Sequence, residues 1–177
     1  LDNQVINLID VQILKNFRKS PDAVRRYIQK CFDIGLNIIS RHECAGFING
    51  PINKKTFLNH RYPGITEYLA KKFKIDNFAM LIYTRNLAVC PITTHLPLKN
   101  VHKSISKIKI IRKIKLINQF YKMKFKKNPK IAIAGLNPHC ESPLKFSEEK
   151  KYILPAVKSL KKSRIYIKGP LSPDTLF

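Results

Sequence analysis

Apolar residues along this chain follow two rhythms. In residues 22–35, DAVRRYIQKCFDIG, they recur as Val24, Tyr27, Ile28, Cys31 and Phe32, the three- and four-residue steps of one helix face. Ser20-Pro21 supplies a start and Gly35 a stop, so a helix is expected between them. The rhythm returns in residues 103–127, where Ile108, Ile111, Ile114, Ile117 and Tyr121 share a face. It returns again in SEEKKYILPAVKSLKK. There Ser147 with Glu148 and Glu149 makes a good helix N-terminus, and Pro155 should kink the helix in its middle. HRYPGITEYLAKKF, residues 60–73, reads as a loop and then a short helix.

The second rhythm is the short continuous apolar run of a strand. CAGFING (44–50), FAMLIY (78–83), LAVCPI (87–92), IAIAGL (131–136) and RIYIKGP (164–170) all show it. IAIAGL is expected to be buried on both faces. Thr84-Arg85-Asn86 is a connection short enough for a hairpin, so an antiparallel pair is expected inside an otherwise α/β arrangement. The 103–127 pattern lies between strand runs, as the crossover helix of a βαβ unit does. The expected fold is α/β, with a mixed and mainly parallel sheet.

Strand ends locate the candidate chemistry, because ligands bind outside the carboxyl ends of strands in open α/β sheets. Gly135, Asn137 and Pro138 end the IAIAGL run and place His139 just beyond it. LAVCPITTHLPL delivers His95 in the same way. Lys54 follows the CAGFING run and could meet an anionic substrate, although most such lysines are simply solvated. Thr66 falls in the first turn of the short helix, where a hydroxyl or a free N–H can hold a phosphate or carboxylate; the plainer reading is a capping threonine.

Charge changes this picture only partly. Thirty-four lysines and arginines against eleven acids give a formal net charge of +23. That balance attracts nucleic acid or an anionic membrane. The lysines are spread along the chain with few aromatics interleaved, so compositional drift explains them as well. On the 103–127 helix, a solvated basic face opposite a core-packed apolar stripe is the favoured reading over a membrane or nucleic-acid helix. No apolar run reaches the ~20 residues of a bilayer span, and no secretory signal is read at the N-terminus. Cys31, Cys44, Cys90 and Cys140 have no CxxC spacing and read as reduced thiols of a cytoplasmic protein.

GPINKKTF, YPGITEYLA, TTHLPLKNV, IAIAGLNPHC and KGPLSPDTLF, in that order and spacing, resemble the 4-hydroxythreonine-4-phosphate dehydrogenase family of pyridoxal phosphate biosynthesis. The resemblance runs from Asp22 to Phe177. It implies a three-layer α/β/α fold like that of isocitrate and isopropylmalate dehydrogenases, with residues 1–177 a single partial domain truncated at both ends. It implies an oxidoreductase that oxidises 4-hydroxythreonine 4-phosphate with NAD or NADP, the product decarboxylating to 3-amino-2-oxopropyl phosphate. It implies a cytoplasmic homodimer with a divalent metal, zinc, magnesium, cobalt or manganese, held by three histidines. His95 of TTHLP and His139 of LNPH match two of those ligands. Thr66 matches a substrate-binding threonine, and Asp174 of the PxDTLF motif matches a position beside the site, in acid–base or orienting work. No GxGxxG fingerprint marks the nucleotide site.

Three departures accompany the resemblance. Ile65 stands where the family has a substrate-binding histidine, and it cannot donate a hydrogen bond. Cys140-Glu141-Ser142-Pro143 replaces a Gly-rich loop. The third metal-binding histidine has no counterpart in these residues. The dehydrogenase reading therefore stands beside two others: an inactive truncated remnant of that enzyme, and a basic module for nucleic acid or membrane.

Overall fold

A computed structural model describes residues 4–13, 17, 20–140 and 146–176. The chain divides into two compact units, Leu1–Leu69 and Ala70–Phe177.

The first unit is built on α1, Pro21–Ser40. Ser20 Oγ accepts the Ala23 N–H at 3.4 Å and Pro21 opens the first turn, as expected. The helix does not stop at Gly35. A Cβ on that residue would lie 2.5 Å from Cε2 of Phe47. Gly35 therefore serves close packing, and the helix runs on to Ser40. Next come α2, Lys54–Leu58, capped by Asn53, and α3, Ile65–Lys72. Phe32, Leu36, Phe57, Leu58 and Tyr68 form the core, with ring centroids 5.1 Å apart for Phe32–Phe57 and 5.2 Å for Phe57–Tyr68. The expected strand at 44–50 is absent. The run is irregular and exposed except at Phe47, and Ile48 is 98% exposed. A strand exists through its ladder, and no described residue pairs with this run.

The second unit opens with the expected hairpin, much shortened. β1, Ile82–Tyr83, pairs antiparallel with β2, Ala88–Val89, and the Thr84 N–H closes the turn on the Leu87 carbonyl at 2.8 Å. Pro91 offers no N–H to extend the ladder. A short α4, Leu98–Val101, precedes α5, Lys107–Phe125, which Ser106 caps by accepting the Lys109 N–H at 3.3 Å. Ile110 and Ile114 are buried, whereas Ile108, expected on the apolar face, is 63% exposed. The lysines of α5 lie around an inward stripe, which is the arrangement expected of a crossover helix. β3, Ile131–Ala134, comes after it. Then come a π-helical turn, Glu149–Ile153, and α6, Leu154–Lys162. The kink expected at Pro155 takes the form of this wide turn, which brings the Leu154 N–H to the Glu149 carbonyl just before a residue with no N–H to give. β4, Ile167–Leu171, pairs parallel with β3, and α5 and α6 pack with this pair around Ile110, Ile114, Ile133, Ala156, Leu160 and Ile167.

Two expectations need correction here. β3 is not buried on both faces: Ile133 is buried and Ala132 exposed. The hairpin also does not lie inside the parallel sheet; among the described residues the two pairs are separate sheets. A cavity of about 720 Å³ is lined by residues of β2, α5 and β3, so the hairpin and the parallel pair do not meet as ladder neighbours. The architecture is a mixed α/β chain with a parallel pair.

Candidate functional site

The chemistry of the second unit gathers where β3 and β4 end. Gly135 follows β3 and its N–H bonds the Leu171 carbonyl at 2.9 Å. The chain then turns through Leu136 and Asn137 into a 3-10 turn, Pro138–Cys140. His139 takes a left-handed backbone, φ 56°, and its exposed ring projects from that turn. Its Nδ1 lies 3.0 Å from Asp174 Oδ2 in the loop after β4. Sequence matching named both residues, and the fold brings them together.

Asp174 is fixed from a second side by the Ser172 hydroxyl, which donates to its Oδ1. That hydrogen bond, the residue's own backbone N–H and the nearby imidazole hold the carboxyl below the usual aspartate range, against a smaller opposing effect of desolvation. An ionised Asp174 favours the tautomer that donates from His139 Nδ1 and leaves Nε2 as a free lone pair. Carboxylate-backed histidines of this kind are what metal sites use to orient a ligand.

The turn beneath His139 rests on a residue whose part the sequence did not announce. Glu149 is 1% exposed, and its Oε1 accepts the N–H groups of both Leu136 and Asn137, each at 2.8 Å. Its Oε2 accepts from the Asn137 amide at 2.9 Å. Burial pushes this carboxyl up. The bonds from Asn137 and Leu136 outweigh it and hold the group below the ordinary glutamate value. A Cβ on Gly135 would lie 3.2 Å from Glu149 Oε1 and 2.6 Å from Cys140 Sγ. The glycine thus serves close packing against Cys140 and the carboxylate, and not the turn's dihedrals. One signal was available: a loop leaving a buried strand exposes backbone donors that need an acceptor, and Glu149 is one of only eleven acids.

The other named residues stand differently. His95 does not sit directly at a strand end. β2 stops at Val89, and His95 is exposed in the loop before α4 with φ 55°. Among the described residues no group of three or more His, Cys, Asp or Glu side chains could hold a metal ion. The 720 Å³ cavity includes none of His95, His139 or Asp174 in its lining. In the first unit, Thr66 lies half-buried in the first turn of α3, as expected. Ile65, at the family's histidine position, packs against the aromatic core. Lys54 is the exposed first residue of α2 and not a residue at a strand end, because the strand before it does not form. Of the changed loop Cys140-Glu141-Ser142-Pro143, all but Cys140 lies outside the described residues.

The family model described as pyridoxal phosphate biosynthetic protein PdxA matches residues 2–177. The chain belongs to the PdxA family. It is 38% identical to 4-hydroxythreonine-4-phosphate dehydrogenase of Sulfurihydrogenibium sp. (strain YO3AOP1), a match covering 98% of this chain and 54% of that protein. It is 31% identical to the D-threonate 4-phosphate dehydrogenase of Pectobacterium atrosepticum, over 98% of this chain and 55% of the relative. The crystal structure of 4-hydroxythreonine-4-phosphate dehydrogenase from Klebsiella pneumoniae superposes with a TM-score of 0.79 at 29% identity, covering 97% of this chain and 54% of that one. This PdxA chain therefore spans about half the length of the relatives it matches. Among the described residues no helix is long and apolar enough to cross a membrane.

Proposed function

We propose that this chain is part of a divalent-metal- and NAD(P)-dependent dehydrogenase that oxidises 4-hydroxythreonine 4-phosphate, or a close 4-phosphorylated hydroxy acid, in pyridoxal phosphate biosynthesis. The observation that carries the reading is the His139–Asp174 pair, 3.0 Å apart at the carboxyl end of a parallel strand pair. Family membership over residues 2–177 supports it.

On this reading His139 offers Nε2 to the metal and Asp174 orients the ring through Nδ1. His95 offers a second imidazole. Catalytic zinc normally takes three protein ligands, so a further donor comes from outside the described residues. The family's homodimer is one source, and the reading includes that assembly. A bound divalent cation supplies charge that lowers a substrate hydroxyl's pKa and favours the developing carbonyl. Within the first unit, Thr66 and the first-turn N–H groups of α3 offer an anion contact, the part the family match gives this threonine. Lys54, also in the first unit, offers an exposed positive charge, and a bound nicotinamide would supply the hydride acceptor. Asp174, held by the Ser172 hydroxyl, orients the imidazole through Nδ1 and is placed for acid–base or orienting work beside it. The two strand pairs belong, on the same reading, to a larger mixed sheet of a three-layer α/β/α domain of the isocitrate dehydrogenase kind, in the cytoplasm.

The inactive-remnant reading is favoured by one observation. Ile65 is committed to apolar packing where the family binds substrate through histidine. The basic-module reading loses ground because α5 buries Ile110 and Ile114 in a core.

The purified protein assayed for reduced-nicotinamide formation separates these readings. Turnover that needs a divalent metal and falls at least ~100-fold in His139→Ala establishes the dehydrogenase. Running 4-hydroxythreonine 4-phosphate and D-threonate 4-phosphate side by side assigns the substrate. No turnover with either, beside an active relative, leaves the remnant.

A further inference from the structure

We propose that Glu149 is a positioning residue whose carboxylate clamps the Leu136–Asn137 turn and so sets the direction of the His139 ring. The consequence for metal binding rests on the reading of His139 as a ligand; the positioning itself does not.

The argument starts at the backbone. Once β3 ends at Ala134, the N–H groups of Leu136 and Asn137 have no ladder to join. Both turn to Glu149 Oε1 at 2.8 Å. The Asn137 side chain is held as well, donating to Glu149 Oε2 at 2.9 Å and to Glu148 Oε2 at 3.0 Å. The Asn137 carbonyl accepts the Cys140 N–H at 3.1 Å. Asn137 is thus tied at its N–H, its carbonyl and its amide, two residues before His139. His139 sits in the left-handed region, where a non-glycine residue persists only if its surroundings hold it. The clamp is itself well built. Ser147 caps the turn that presents Glu149, its Oγ accepting the Lys150 N–H at 3.2 Å, and Ser147 is 2% exposed. Gly135 leaves room beside the carboxylate, where a Cβ would crowd Oε1 at 3.2 Å. A carboxylate almost fully out of water is costly unless well-placed donors satisfy it, and here Leu136 and Asn137 supply them. Those donors are the turn that carries His139.

The test compares wild type with Glu149→Gln and Glu149→Ala in the metal-free protein, by NMR of the His139 ring. Wild type shows ring-to-Asp174 contacts. E149A loses them and its ring signals move to a solvent-averaged position. E149Q keeps an acceptor for both N–H groups but loses the bond to the Asn137 amide, so it falls between the two. Cobalt titration followed by visible absorption then reads the consequence: about 10–100-fold weaker binding in E149A and partial rescue in E149Q, the loss typical when a ligand's outer partner is removed. If E149A does not fold, E149Q against wild type decides, with a moved ring expected. Unchanged His139 signals in the folded variants overturn the inference, whatever the metal does. A wild type that binds no cobalt, with ring signals that still move in E149A, overturns the ligand reading and supports the positioning role.

Discussion

Asp174 and Glu149 are both carboxylates held below their ordinary values, and for different reasons. Asp174 is exposed and takes its bonds from Ser172 and His139, so its part is directional. Asp174→Asn keeps the shape but makes the tautomer of His139 ambiguous. Cobalt titration should then show about 10–100-fold weaker binding, with little change in thermal stability. Glu149 is buried, so its ionisation is tied to folding. Its folded value lies below the 4.5 of the free group. Its stabilisation is therefore fully present above about 4.5 and is lost as pH falls through the lowered folded value. Urea unfolding across the acid range should show E149Q with a flatter stability profile than wild type below that point. Equal slopes would mean that the group is not held ionised by the turn. Of these residues the sequence made His139 and Asp174 legible through motif matching. Glu149 read only as a helix-start acid, because a hydrogen bond spanning 12 or 13 residues of sequence leaves no local pattern.

At the scale of elements, the helices were read well where one face is buried. Ser20-Pro21 and Ser147 start helical segments as expected, since capping is a local event between neighbours, whereas the 103–127 pattern begins later than expected, at Lys107 after Ser106. Stops were read less well: Gly35 is passed because the Phe47 ring, twelve residues on, uses the missing side chain. Strands were read least well. The 44–50 run has the right composition and no partner among the described residues, and β2 is cut short before Pro91. Pairing is non-local, so composition alone does not create it. The first unit depends instead on its ring cluster. Phe32 contacts the rings of Phe47, Phe57 and Tyr68, with centroids 5.1 to 5.5 Å away. Phe32→Ala should cost about 3–5 kcal/mol in chemical denaturation. A loss under about 1 kcal/mol would show that this cluster does not hold the unit together.

At the scale of the whole molecule, the +23 charge and the half-length match pull the reading in opposite directions. The charge invites a nucleic-acid partner, whereas the lysines of α5 are arranged around a buried stripe of Ile110 and Ile114, as on a core-packed helix. Membership of the PdxA family, with the likeness to its solved structures, accounts for the mixed α/β fold and its parallel pair. The central claim is that His139, backed by Asp174, is a metal ligand. The most direct measurement is a crystal of the protein grown with cobalt and examined for anomalous scattering. The account predicts one strong peak at about 2.0–2.2 Å from His139 Nε2, with His95 in the same coordination sphere. A structure with no peak at His139, or with cobalt bound only elsewhere, would contradict it.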